Sequence, residues 1–120
     1  MGGRKEKRLR PRLNLYLFMR VRRKGSAETD AGDETFTVNI SSVGVYFLSR
    51  REYTPGTQIE MHITVPSYAH FHSDASTYLC EAEVVRCEIF VKNGGSSDEW
   101  AYGIAAKFLR GFRLAILEEV

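Results

Sequence analysis

The sequence predicts an all-β domain of six or seven short antiparallel strands, closed into a small barrel or folded as a sandwich. Three observations point there. Apolar and polar residues alternate with a period of two over successive stretches of the chain. Turn-forming clusters rich in Gly, Pro, Asn and Ser separate those stretches. No helical period appears before the last ten residues. Strands that follow one another without helices pair with their neighbours, and closure of the sheet removes exposed edges.

Residues 1–12 hold one proline, no hydrophobic period and a run of cations, so they read as a flexible basic arm. From Leu13 the alternation is clear. Leu13, Leu15, Leu17, Met19 and Val21 point to the core, and Asn14, Tyr16, Phe18, Arg20 and Arg22 point away. Gly25 to Gly32 is a hairpin loop. The second strand is expected to turn Phe36, Val38 and Ile40 inward and Thr35, Thr37 and Asn39 outward. Ser41-Ser42-Val43-Gly44 is a turn or bulge, and Val45 to Leu48 resumes the strand.

Tyr53-Thr54-Pro55-Gly56 suits a type II turn, with Pro55 at the second position and Gly56 at the third. Ile59, Met61, Ile63 and Val65 then alternate with polar residues, and Pro66 to Ser76 is a long loop. Residues 77–91 slip phase: Tyr78, Cys80, Ala82 and Val84 share one face, and Val85, Cys87, Ile89 and Val91 the other. One bulge near Val84-Val85 would bring both sets inside. Asn93 to Ser97 makes another hairpin loop. Trp100, Tyr102, Ile104, Ala106 and Phe108 form the last strand, and residues 110–120 a short terminal helix.

At 120 residues the chain is one domain, with residues 13–108 as the barrel. No apolar run approaches the ~18 residues that span a bilayer, so no membrane insertion is expected. The first residues lack the apolar centre of a signal peptide, and Glu6 replaces the Ser or Thr of a myristoylation site. The expected location is cytoplasmic. The net charge of +2 is segregated: residues 1–24 hold ten Lys or Arg against Glu6, and the remaining 96 hold seven basic and fourteen acidic residues. A basic segment at +9 on a body at −7 suits an anionic partner such as a phosphate, a nucleic acid or a lipid surface.

Nothing in the sequence reads as a catalytic constellation. No Cys-x-x-Cys, Gly-x-Ser-x-Gly or P-loop occurs. His70, His72 and Asp74 share one segment but lack a fourth metal ligand. Cys80 and Cys87 lie too far apart along one strand to bridge, and read as reduced thiols. No enzyme, cofactor or metal is expected.

Two stretches carry the functional reading. Arg8-Leu9-Arg10-Pro11-Arg12 has the form Arg-x-x-x-Arg. About thirty residues on, Asn39-Ile40-Ser41-Ser42-Val43-Gly44 has the form Asp/Asn-x-Ser-x-x-Gly. That pair, in that order across one hairpin, resembles the PilZ domain, a family of bacterial receptors for cyclic di-GMP. Pro55-Gly56-Thr57, the strand Glu81 to Arg86, and Tyr102-Gly103-Ile104-Ala105 with Phe108 look like the family's later strands. The resemblance implies a six-stranded antiparallel barrel with a C-terminal helix. It also implies a cyclic di-GMP site made by Arg8, Arg12, Asn39, Ser41 and Gly44, with Lys7 beside them.

The residue chemistry is consistent with that ligand. A guanidinium forks onto phosphate oxygens or onto guanine O6 and N7, and stacks on a base. Lys7 adds point charge. The Asn39 amide oxygen accepts from guanine N1 or N2, without the charge that the family's aspartate would supply. Ser41, expected to share the outward phase of Asn39, donates or accepts, and Gly44 lets the ligand approach the backbone. Binding would order the arm, and its new position would signal to a downstream protein. Two other readings stay open: a PilZ-like protein adaptor that binds no nucleotide, and a nucleic-acid-binding barrel with Tyr16 and Phe18 stacking on bases. The last makes the second motif a coincidence, so nucleic acid is the less favoured partner.

Overall fold

β-branched and other apolar residues at every second position fit the pleat of a half-buried sheet. In the computed structural model, which describes residues 14–27, 32–66, 76–90 and 100–110, they form six strands. These are β1 (Phe18–Arg23), β2 (Asp33–Ile40), β3 (Gly44–Ser49), β4 (Gln58–Val65), β5 (Ser76–Ile89) and β6 (Tyr102–Phe108). They close in the order β1-β2-β3-β6-β5-β4, with every neighbouring pair antiparallel and β4 returning to β1. The expected six-stranded antiparallel barrel is therefore present. The arm at 1–12, Leu13, the hairpin turn at 93–97, most of the loop between β4 and β5, and the terminal helix beyond Arg110 lie outside the described residues. No described helix is long and apolar enough to cross a membrane.

The barrel interior is filled from every strand. Met19, Val21, Ile40, Phe47, Ile59, Met61, Ile63, Val84 and Ile104 are buried, joined by Tyr53 from the β3–β4 connection. Each such side chain is worth about 1.5–3 kcal/mol of transfer free energy, so the inner faces dominate stability. Closure is made by Met19 opposite Ile63 and Val21 opposite Met61 on one side. On the other, Val45 faces Ala106 and Phe47 faces Ile104. The turn before β4 is as expected: Gly56 has φ +94° and Thr57 N donates to Thr54 O at 3.1 Å.

β2 departs from its expected phase. Thr35 and Thr37 are buried and Phe36 is exposed. Threonine has nearly the volume of valine, and its hydroxyl is satisfied here by backbone. Thr37 Oγ1 donates to Leu15 O and accepts from Leu17 N at 2.8 Å, and Thr35 Oγ1 donates to Leu48 O. Phe36 instead meets Phe18 edge-on outside the barrel, ring centroids 5.9 Å apart. A bulge between Thr37 and Asn39 then restores the phase, so Ile40 is buried while Asn39 faces out.

The bulge expected in β5 is present, with the register shifting between Val84 and Arg86. It does not bury all of the second set. Val85 is the extra residue and is 48% exposed, Ile89 is exposed too, and Cys87 packs against the core. Both cysteines are free, and burial pushes the Cys80 thiol up to about 12.

Candidate functional site

The β2–β3 hairpin turns on two residues, Ser42 and Val43, closed by Ser41 N donating to Gly44 O at 2.9 Å. Ser41 completes the turn with its side chain: its Oγ accepts from Val43 N at 3.2 Å and Gly44 N at 3.3 Å. That arrangement draws Ser41 in to 5% exposure, which corrects the expectation that it shares the open outward face of Asn39. Gly44 also has a structural reason. A Cβ there would lie 2.7 Å from the carbonyl oxygen of Ala106, so the strand pairing itself excludes a side chain.

Outside this hairpin lies an open cavity of about 350 Å³. Asn39, Ser41 and Gly44 line it, and so do Val43, Tyr46, Val85, Arg86, Ala105 and Lys107. The register explains the convergence. Asn39 pairs with Tyr46, Tyr46 with Ala105, and Ala105 with Arg86, which makes one transverse row across β2, β3, β6 and β5. Three interstrand steps of ~4.8 Å put about 14 Å between the ends of that row. Ala105 is small, so the row is low between Tyr46 and Arg86, and its two ends are polar.

From its place in this row, Tyr46 reaches diagonally across β6. Its hydroxyl donates to Glu88 Oε1 at 2.6 Å, and Glu88 Oε2 accepts from Arg86 Nε at 3.1 Å. Burial, reinforced by the bond to Glu88, pushes the Tyr46 phenol up to about 12. That hydrogen bond, helped by Arg86, holds the Glu88 carboxyl below its usual range. The path is open because Gly103 lies beneath it: a Cβ there would stand 1.9 Å from the Tyr46 hydroxyl oxygen. Lys107, opposite both Gly44 and Glu83, is exposed and has no ion-pair partner among the described residues.

Of the residues singled out from sequence, Asn39, Ser41 and Gly44 thus share one cavity, and Lys7, Arg8 and Arg12 lie outside the described residues. The chain leading from them is described as far back as Asn14. It runs beside β2, with Leu15 bonded to Thr37, two positions before Asn39. Arg86 and Lys107 are cations of the site that sequence reasoning missed. The available signal was the phase slip in β5, which turns Arg86 outward. Among the described residues no group of three or more His, Cys, Asp or Glu is placed to hold a metal ion. His70 and His72 lie outside them.

No family model matches the chain, and no curated protein does. Among solved structures, the Bacillus subtilis inhibitor of motility (MotI/DgrA) has a similar fold, with a TM-score of 0.67 at 15% sequence identity. The match covers 92% of this chain and 46% of that one, so this chain spans less than half of that protein's length. At that identity the likeness is one of fold.

Proposed function

We propose that this domain is a cytoplasmic PilZ-type receptor for cyclic di-GMP, and that it passes the signal to a protein partner. One observation carries the reading: the cavity that holds Asn39, Ser41 and Gly44 also collects Arg86 and Lys107, while Leu15 runs beside the same hairpin. Arg12 lies three chain steps before Leu15, about 10 Å if that chain is extended. Arg12, and Arg8 beyond it, are therefore within reach of a ligand in that cavity. The fold likeness to a motility inhibitor suits a regulatory domain and brings no chemistry with it.

The physical mechanism follows from size and charge. At about 350 Å³ the cavity is at the small end of ligand sites, and a ligand of two guanosine phosphates would fill it and protrude. Its exposed phosphates and base would be covered by Arg8 and Arg12, with Lys7 adding charge. Asn39 accepts from the base edge. The Ser41 hydroxyl oxygen is committed to the turn, which leaves its hydrogen to donate. Ordering the residues around Arg8 and Arg12 costs about 1–2 kcal/mol each, offset by charge-assisted hydrogen bonds. The affinity should be moderate and should fall with salt.

Titration calorimetry of the full chain with cyclic di-GMP, GTP and single-stranded DNA tests this. The expected result is binding of cyclic di-GMP in preference to both others, weakened about tenfold or more by Arg8→Ala and by Arg12→Ala. Equal binding by both variants would overturn it. Preference for DNA would favour a nucleic-acid barrel, and binding of none of the three a pure protein adaptor.

A further inference from the structure

Arg86 stands at the end of the transverse row opposite Asn39, on the wall of the same cavity. Its Nε is taken by Glu88, and among the described residues neither Nη group has a partner. A guanidinium held at Nε keeps its far edge, with two parallel N–H bonds, open for a second acceptor. The holding group is itself fixed. Glu88 is bound on its other oxygen by Tyr46, and Tyr46 lies over Gly103, where no larger residue leaves room. Residues of β3, β5 and β6 together thus set the direction of one cation at the cavity wall. A lone exposed arginine would have no such support.

We infer that Arg86 is a ligand-contacting residue of this site, a two-pronged donor for a pair of adjacent acceptors, and that Glu88 and Tyr46 are the positioning residues that aim it. The acceptors are either two oxygens of a phosphodiester or O6 and N7 of a guanine, which present the same spacing to a guanidinium. Lys107, farther along the wall, adds charge without a fork. This assignment rests on the receptor reading above and adds a contact that neither sequence motif contains. It gives the cavity a grip of its own, at the β5 end of the row and opposite Asn39.

The test is calorimetry of the full-length wild type and of Arg86→Gln, Arg86→Lys and Glu88→Gln, each with cyclic di-GMP and with cyclic di-AMP. Adenine keeps N7 but replaces O6 with an amino donor, so the pair of nucleotides separates the two sources of acceptors. Arg86 is exposed, and an unchanged melting temperature will show that its variants fold. Arg86→Gln should weaken cyclic di-GMP about 10- to 100-fold, and Arg86→Lys should restore little, because an ammonium supplies charge without the fork. A guanine contact leaves cyclic di-AMP binding indifferent to Arg86, and a phosphate contact weakens both nucleotides in proportion. Glu88→Gln should weaken binding less and should also bring the Tyr46 phenol down from about 12, read by carbon-13 NMR of the tyrosine rings. Wild-type binding with Arg86→Gln unchanged, or with full rescue by lysine, overturns the assignment of Arg86 alone. Failure of the wild type to bind either nucleotide removes the receptor reading and this inference with it.

Discussion

Tyr46 on β3 and Glu88 on β5 are hydrogen-bonded at 2.6 Å although a whole strand, β6, lies between them. The contact exists because β6 presents Gly103 at that point, and the tyrosine lies across the glycine. A polar side chain has thereby become a strap over the sheet surface, and its far end determines how Arg86 is held.

Gly103→Ala should cut that strap. The new methyl would overlap the Tyr46 hydroxyl and come within 2.7 Å of Phe90 Cζ, so both rings must move. Overpacking of this kind costs about 1–3 kcal/mol. Thermal unfolding should show the loss, and NMR titration should show the Tyr46 phenol falling from about 12 toward 10.

Alkali should weaken the fold before it reaches the ordinary limit of the backbone. Tyr53 is 1% exposed, and burial together with the charge of Asp33 pushes its phenol up to about 12 from 10. The folded state therefore keeps the proton longer than the unfolded chain does. Its stabilisation is complete below pH 10 and is lost between pH 10 and 12, at about 1.4 kcal/mol per pH unit for one such group. Urea unfolding at pH 8 and pH 11 should show the fall, and Tyr53→Phe should flatten it. Tyr46 acts in the same direction.

Thr37→Val should be costly despite its matching volume. It leaves Leu17 N and Leu15 O without the hydroxyl that serves both, at about 1–3 kcal/mol for groups buried there. Thr37→Ser keeps the oxygen and should cost less. Because those bonds tie the chain after Arg12 to β2, the valine variant should also bind cyclic di-GMP more weakly than its lost stability alone accounts for. Denaturation and calorimetry on the same samples separate the two effects.

Gly44→Ala should destabilise the protein with no nucleotide present. The methyl meets the Ala106 carbonyl, which is part of the sheet and cannot step aside as a side chain could. A loss of about 1–3 kcal/mol in thermal unfolding of the free protein is expected. An unaltered melting temperature would mean that the glycine serves only a ligand.

Much of the barrel was legible in the sequence where apolarity and face coincide. Ile59, Met61 and Ile63 announced β4, and the slip between Val84 and Cys87 announced a bulge before any coordinates did. β2 was misread because threonine was assumed to face water and phenylalanine the core. Backbone acceptors make Thr35 and Thr37 acceptable inside, and the Phe18 ring makes Phe36 acceptable outside. The site was only half legible. Asn39, Ser41 and Gly44 are neighbours in sequence, whereas Arg86 and Lys107 join them only through the pairing of β6 with both β3 and β5. Distances along the chain carry no trace of that.

The added residue in β5 has a chemical consequence beyond its geometry. Without the offset at Val85, the strand would continue its strict alternation, sending the Arg86 head inward and the Cys87 sulfur out. The same peptide would then offer the surroundings a soft, oxidisable atom where it now offers a hard cation. One inserted backbone unit thus decides whether that patch of the molecule answers to oxidants or to anions.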